Sequence, residues 1–326
     1  MNNAEHFSRN LSKNEAKNTM INIVDMPDSD KANFLTDLHN KGETAEEIAG
    51  FADALRSLSK LKIKYETLTD IVGTGGDRKN TINVSTSASI VLASMGIKIA
   101  KHGNFGITGS HGSADLMKFL GYNFRMPEYE IVKNLNEKNY VYILAPEYNE
   151  NFAKFSRVRK FLGFKTVFNI LGPLTNPLNP DTVVLGAYDN NIAELYSNIL
   201  IKDSKKGFVI TSEDGMDELS PFSVNYIYQV DKGINKFRLD PRKLMEDSIS
   251  IEDISSQDSK KSFEMAIDGM KGKNKKVSEF IALNAAPALV ANDVYKNIPD
   301  AYFAVIEHIN GGNVMNKIKE VFNYED

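Results

Sequence analysis

Cysteine is absent from the 326 residues, which excludes disulfides, thiolate metal sites and a cysteine nucleophile and fits a reducing cell interior. Also absent is any run near the roughly 18 apolar residues of a membrane-spanning helix. The opening Met1-Asn2-Asn3-Ala4-Glu5 lacks the basic flank and apolar stretch of a secretory leader. Positive charge is not in excess: 39 Lys and Arg against 43 Asp and Glu leave a net charge of −4, with no global attraction to nucleic acid or anionic lipid. The expectation is a soluble cytoplasmic protein with no membrane and no nucleic-acid partner. What is present, 42% apolar and 25% charged residues, is ordinary for a globular chain. The length suits one large domain with a smaller companion.

The first sixty or so residues read as helical throughout. Thr44-Ala45-Glu46-Glu47 is a capping box: Thr44 can accept from a free backbone N–H while Glu47 reaches back to Thr44. The helix it opens carries Ile48, Phe51, Leu55 and Leu58 on one face. Gly42 is placed to end the preceding helix in a left-handed conformation. Near residue 69 the pattern changes. Strand candidates at 70–72, 97–100, 140–145, 183–187 and 207–211 alternate with helical patterns at 87–95, 114–120, 129–136 and 192–200. Such alternation predicts an α/β fold with a largely parallel sheet and helices on its faces. Residues 225–230 alternate polar and apolar, as in a half-solvated strand near a sheet edge. The Lys- and Ser-rich stretches 255–261 and 271–276 read as solvated surface.

The sharpest local feature is Gly73-Thr74-Gly75-Gly76-Asp77, directly after the strand Asp70-Ile71-Val72. Its glycines permit close backbone approach, and such a loop can point successive N–H groups at a phosphate. It is neither a Walker loop nor a dinucleotide turn. Alone it fits a tight turn equally well. Six residues after Asp77 comes Asn83-Val84-Ser85-Thr86, leading into an apolar helix, with Ser85 and Thr86 where N-cap residues belong. The next strand ends in Lys101-His102-Gly103-Asn104, and a loop rich in Gly, Ser and Thr leads to Gly112-Ser113-Ala114-Asp115, a second helix start. Glycine loops, hydroxyls, a lysine and two helix N-termini converge at the carboxyl ends of consecutive strands, where α/β sheets bind ligands. That convergence describes a site for a ligand with several phosphates.

These motifs, with the run Lys165-Thr166-Val167-Phe168-Asn169-Ile170-Leu171-Gly172-Pro173-Leu174-Thr175-Asn176-Pro177 and the turn Asp214-Gly215-Met216-Asp217-Glu218, stand in the order seen in anthranilate phosphoribosyltransferases. The chain resembles that family over nearly its whole length. The resemblance implies a small all-helical domain (1–65, plus roughly 150–175) and a large α/β domain (66–149 and 176–326) of the type shared with pyrimidine nucleoside phosphorylases. It implies a homodimer joined through the helical domains. The implied reaction is Mg²⁺-dependent, from anthranilate and phosphoribosyl pyrophosphate to N-phosphoribosyl-anthranilate and pyrophosphate, in tryptophan synthesis. Carried over by motif, Gly73, Gly76, Asp77, Thr81, Asn83, Val84, Ser85, Thr86, Lys101 and Ser113 resemble the donor-binding set. Ser85, Asp217 and Glu218 match the Mg²⁺ positions. Lys101 and Asp77 are the candidate catalytic groups. Gly73, His102, Asn104, Asn149 and Arg159 are the candidate anthranilate contacts.

Two positions depart from the family pattern. Phe105 follows Lys-His-Gly-Asn where most members have Arg, and Asn149 stands where His is usual. The donor half of the site is intact while the acceptor half is altered, which leaves room for a paralogue with another aromatic acceptor. A pyrimidine nucleoside phosphorylase would need no acidic metal pair, and a nucleic-acid-binding relative should show a basic stripe.

Overall fold

In the computed structural model, which describes residues 9–75, 77, 79–106, 112–245, 247–322 and 324, the chain opens with three helices. These are α1 (Lys13–Ile23), α2 (Asp28–Lys41) and α3 (Ala45–Ser57). Helix α3 begins at the expected capping box: Thr44 accepts from the Glu47 N–H, and the Glu47 carboxylate accepts from Thr44 N at 2.9 Å. Glu47 also takes the Leu11 N–H at 3.0 Å and the Lys41 ammonium at 2.8 Å. One buried carboxylate thus joins the starts of α1 and α3 to the end of α2. Ile48, Phe51 and Leu55 are fully buried and Leu58 packs at the rim. Gly42 ends α2 with φ +83°, but at ψ 139° it lies outside the left-handed helical well.

From residue 69 the expected alternation appears. Strands β1 (Thr69–Gly73), β2 (Ile99–Gly103), β3 (Tyr140–Leu144), β4 (Thr182–Gly186) and β5 (Lys206–Ser212) pair in parallel. Strands β6 (Asn225–Val230) and β7 (Ile234–Leu239) add antiparallel, giving the order β3-β2-β1-β4-β5-β6-β7. The half-solvated reading of 225–230 is corrected: four of the six residues of β6 are buried and only Tyr226 and Gln229, on opposite faces, are partly exposed, because β7 pairs outside it. The edge itself is β7, whose polar sequence gave no strand signal. The crossovers are α4 (Val84–Ser94), α5 (Ser113–Phe119), α6 (Glu128–Glu137) and, after β4, α10 (Asn190–Lys202).

Between β3 and β4 the chain makes short helices α7 (Ala145–Tyr148), α8 (Ser156–Leu162) and α9 (Phe168–Leu171). Phe155, Val158, Phe168 and Leu171 from this segment share one apolar cluster with α1–α3, α10 and one sheet face, represented by Val183, Leu185 and Val209. The opposite face, with Ile71, Val184, Phe208 and Ile210, packs on α4 and on helices that follow β7. These include α11 (Ile251–Ile254), α12 (Ser259–Met270), α13 (Lys275–Ala291), α14 (Ile298–Asn310) and α15 (Asn313–Val321). Helix α13 is buried along nearly its whole length, as its continuous apolar run requires.

Candidate active site

Strand order reverses beside β1: the chain leaves it for β2 and β3 on one side and later adds β4 and β5 on the other. The crevice at the carboxyl ends of β1 and β4 is therefore a topological switch point. The turn after β5 drops into it. A Cβ on Gly73 would lie 2.4 Å from Asp217 Oδ2, and one on Gly186 would lie 1.5 Å from the Asp217 carbonyl oxygen. Both strand ends need glycine because the acidic turn passes against their backbones. Asp217 Oδ2 accepts from Gly75 N at 2.5 Å and from the Thr74 hydroxyl at 3.1 Å. The neighbouring Glu218 carboxylate lies beside the Ser85 backbone at the start of α4, which favours its charged form. The glycine loop, the first turn of α4 and the acidic turn are thus brought together.

Burial, with neighbouring negative charge, raises three carboxylates here. Burial, and then the charge of Asp77, push Asp217 up to about 6. Burial and the charges of Asp217 and Asp77 raise Glu218 well above its ordinary range. Asp77 is raised by burial, opposed by the Lys79 N–H that donates to its Oδ1 at 3.1 Å. A cation would relieve this crowding. Among the described residues no three acidic or imidazole groups converge as a metal cage. Two adjacent carboxylates instead suit a small hard cation that keeps waters and binds substrate phosphates.

Asn83 precedes α4 as its N-cap but makes no side-chain cap bond. Ser85 and Thr86 are therefore first-turn residues rather than the expected caps, with Val84 as the first helical position. The correction strengthens the anion-site reading, because first-turn N–H groups are the ones a helix leaves unpaired. Asn83 Nδ2 and Thr86 Oγ1 are buried without a hydrogen-bond partner, which is uncommon unless a ligand completes them. Thr81 is held by a bridge to Ser255, with Ile82 N donating to Ile254 O at 2.8 Å and Ser256 N to Asn80 O at 3.1 Å. Ser113 opens α5 and shares a 2.7 Å contact with the Tyr142 hydroxyl. Gly76 lies outside the described residues.

Lys101 departs from the expectation of a hand on the leaving group. It is 1% exposed, and its ammonium donates to the Ile71 carbonyl at 2.6 Å. It stands near buried Asp70, whose oxygens take His102 N and Asn176 Nδ2. Burial lowers the lysine and raises the aspartate, each restrained by the other's charge. A buried carboxylate needs a nearby cation, so Lys101 supplies positive potential from beneath the site. Burial and Lys101 push His102 down to about 4, against a hydrogen bond to the Gly172 backbone.

On the acceptor side, Arg159 of α8 is half-buried and forms no ion pair among the described residues. Its guanidinium sits 5.6 Å over the Phe168 ring and 3.5 Å from Asn169 Oδ1, and burial lowers its pKa. Asn104 is exposed at the end of β2, where its Oδ1 takes the Phe105 N–H at 2.8 Å. Asn149 is buried and bonded within the fold. Its Nδ2 donates to Leu55 O at 2.7 Å and its Oδ1 accepts from Asn151 at 2.9 and 3.1 Å, so it ties α3 to the turn after α7. Phe105 packs on Phe124 at 5.7 Å and joins the core cluster.

Sequence reasoning passed over Lys79, Gly186 and Asn176. Lys79 forms an ion pair with Asp214 at 3.3 Å. A glycine closing a strand and a cation inside a phosphate-loop motif were the available signals. Asn176 stands within the run 165–177 but was given no role there; its bonds to Asp70 and the Ala100 carbonyl show only in the tertiary structure.

The sequence matches the glycosyl transferase family a/b domain over residues 65–315 and the family's helical bundle domain over residues 4–59. An anthranilate phosphoribosyltransferase of Picrophilus torridus is 57% identical over 316 residues, covering 97% of each chain. The crystal structure of anthranilate phosphoribosyltransferase from Thermus thermophilus superposes with a TM-score of 0.91 at 28% identity, covering 98% of each chain. That of Saccharomyces cerevisiae, in complex with phosphoribosyl pyrophosphate and Mg, does so at 0.85 and 27%, covering 96% of this chain and 93% of that one. With the acidic turn, glycine loop and α4 N-terminus assembled at the switch point, the chain belongs to the anthranilate phosphoribosyltransferase family.

Proposed function

We propose that the chain transfers the phosphoribosyl group of phosphoribosyl pyrophosphate to the amine of anthranilate, releasing pyrophosphate, as a Mg²⁺-dependent step of tryptophan synthesis. The observation that carries this reading is the meeting of Asp217 and Glu218 with the glycine loop and the first turn of α4. Gly73, Gly76, Asp77, Thr81, Asn83, Val84, Ser85, Thr86 and Ser113 are assigned to the donor. Thr86 and Asn83 bring unfilled hydrogen-bonding capacity to it. Asp217 and Glu218, with Ser85, would hold Mg²⁺, which when bound neutralises charge on the pyrophosphate. Lys101 adds positive potential from within the sheet.

The amine nitrogen attacks C1′ as the bond from C1′ to the pyrophosphate oxygen breaks, and the nitrogen then gives up a proton. An aromatic amine is unprotonated at neutral pH, so no strong base is needed and catalysis is chiefly positioning. Arg159, with no acidic partner among the described residues, is assigned to the anthranilate carboxylate, with Gly73, His102 and Asn104 around the ring. The altered pair, Phe105 packed on Phe124 and Asn149 consumed by Leu55 and Asn151, favours a second reading in which another aromatic amine is accepted. Purified protein mixed with donor, Mg²⁺ and anthranilate decides between them. Consumption of anthranilate that needs both other components supports the first reading. Inertness at millimolar anthranilate, with turnover of another amine, favours the second.

The division into a helical domain (1–65 and roughly 150–175) and an α/β domain, a homodimer joined through the helical domain, and a cytoplasmic location belong to the same reading. Sedimentation at micromolar concentration tests the dimer.

A further inference from the structure

Lys79 lies between the glycine loop and Thr81 and belongs to no residue set assigned above. Its backbone is delivered to a fixed place: Thr81 bridges Ser255, and Asn80 O and Ile82 N are tied to Ser256 and Ile254. From there its N–H donates to Asp77 Oδ1 at 3.1 Å, and its Nζ reaches Asp214 Oδ2 at 3.3 Å. Both side chains of the pair are about four-fifths buried, at 22% and 20% exposure.

Asp214 is equally fixed. Its Oδ1 takes the Ser212 hydroxyl at 2.5 Å and Met216 N at 3.1 Å, and its Oδ2 takes the Ser220 hydroxyl at 3.0 Å. Burial opposes its charge, but these donors and the Lys79 charge hold its pKa below the usual carboxylate value. Asp214 therefore shapes the same turn that presents Asp217 and Glu218 three and four residues later. The pair joins two anchors that are each held independently, so little side-chain freedom remains to be lost when it forms.

We propose that Lys79 is a positioning residue for the donor site, its ion pair with Asp214 setting the distance between the glycine loop and the acidic turn. This rests on the donor-site reading above. With the pair intact, the N–H groups of the loop and the carboxylates of the turn meet the pyrophosphate and its cation already spaced. Among the described residues from Thr74 to Lys79, the other hydrogen bonds to the turn are those that Thr74 and Gly75 give to Asp217.

The test compares wild type, Lys79→Met, Lys79→Arg, Asp214→Asn and the double variant Lys79→Met/Asp214→Asn. Steady-state kinetics and calorimetric titration of phosphoribosyl pyrophosphate in Mg²⁺ are the measurements. For Lys79→Met the KM and Kd for the donor are expected to rise roughly tenfold, with kcat within about twofold and KM for anthranilate unmoved. Lys79→Arg should stay near wild type, and the double variant should bind the donor no more weakly than Asp214→Asn alone. A donor KM and Kd unchanged in Lys79→Met overturns the proposal, as does a loss confined to kcat or an Arg variant as weak as Met. Wild-type protein that binds no donor refutes the donor-site reading itself, and this proposal with it.

Discussion

The His102 imidazole, buried at the end of β2, binds its proton only near pH 4, against 6.5 in an open chain. Between these values the unfolded state holds more protons, so stability falls as the pH drops through the window. The loss is complete below about 4 and absent above 6.5, and it corresponds to roughly 3 kcal/mol. Removing the titration by His102→Gln should flatten the fall in urea midpoint between pH 6.5 and 4.5. Parallel profiles for the two proteins would remove His102 as the cause. Asp217 shows the converse trade. A carboxylate raised from 3.8 to about 6 by burial is charged at neutral pH against its environment. Asp217→Asn should therefore raise the melting temperature by a few degrees without Mg²⁺. It should also lower kcat/KM for the donor by about a hundredfold or more. A variant with full activity would show that the turn is only structural. At this scale residue types were legible and their surroundings were not. Lys101 reads as a phosphate ligand until its partner, the Ile71 carbonyl on the neighbouring strand, is seen.

Elements were legible where pattern and chemistry agreed. The five parallel strands and the α3 capping box were readable because apolar runs and Thr44/Glu47 carry the cause of their own structure. Strand β7 was not, because Asn235, Lys236 and Arg238 form it only by pairing with β6. The offset of α4, beginning at Val84 rather than after Ser85 and Thr86, follows from Asn83 sitting at the cap without capping. The ends of β1 and β4 yield a test. An alanine at 186 would place its Cβ 1.5 Å from the Asp217 carbonyl oxygen, a backbone atom that cannot swing aside. Gly186→Ala should cost about 3 kcal/mol or more in urea unfolding, at the upper end of overpacking effects. A cost under about 1 kcal/mol would mean that the acidic turn yields freely.

Across the whole molecule, the N-terminal helices and one sheet face share a single apolar cluster that joins Phe51 and Leu55 to the layer of Leu185, Val209 and Tyr196. The helical segment is therefore a wall of the large domain's core. A fragment beginning at residue 61 should expose that face and aggregate, a patch of this kind being far larger than a soluble surface tolerates. Size-exclusion chromatography of the fragment checks this, and a monodisperse, cooperatively melting fragment would refute it.

The sequence by itself determined the class of fold, the helical opening, the glycine loop and the acidic turn as separate motifs, because each is encoded by residues adjacent in the chain. Only the tertiary structure decided how they meet. Asp217 lies more than 140 positions from Gly75, and its contact depends on the strand reversal at β1 and on glycine at the end of β4. The contacts of Lys101, Asn149 and Lys79 were decided in the same way, since each side chain meets a group that is distant in the chain.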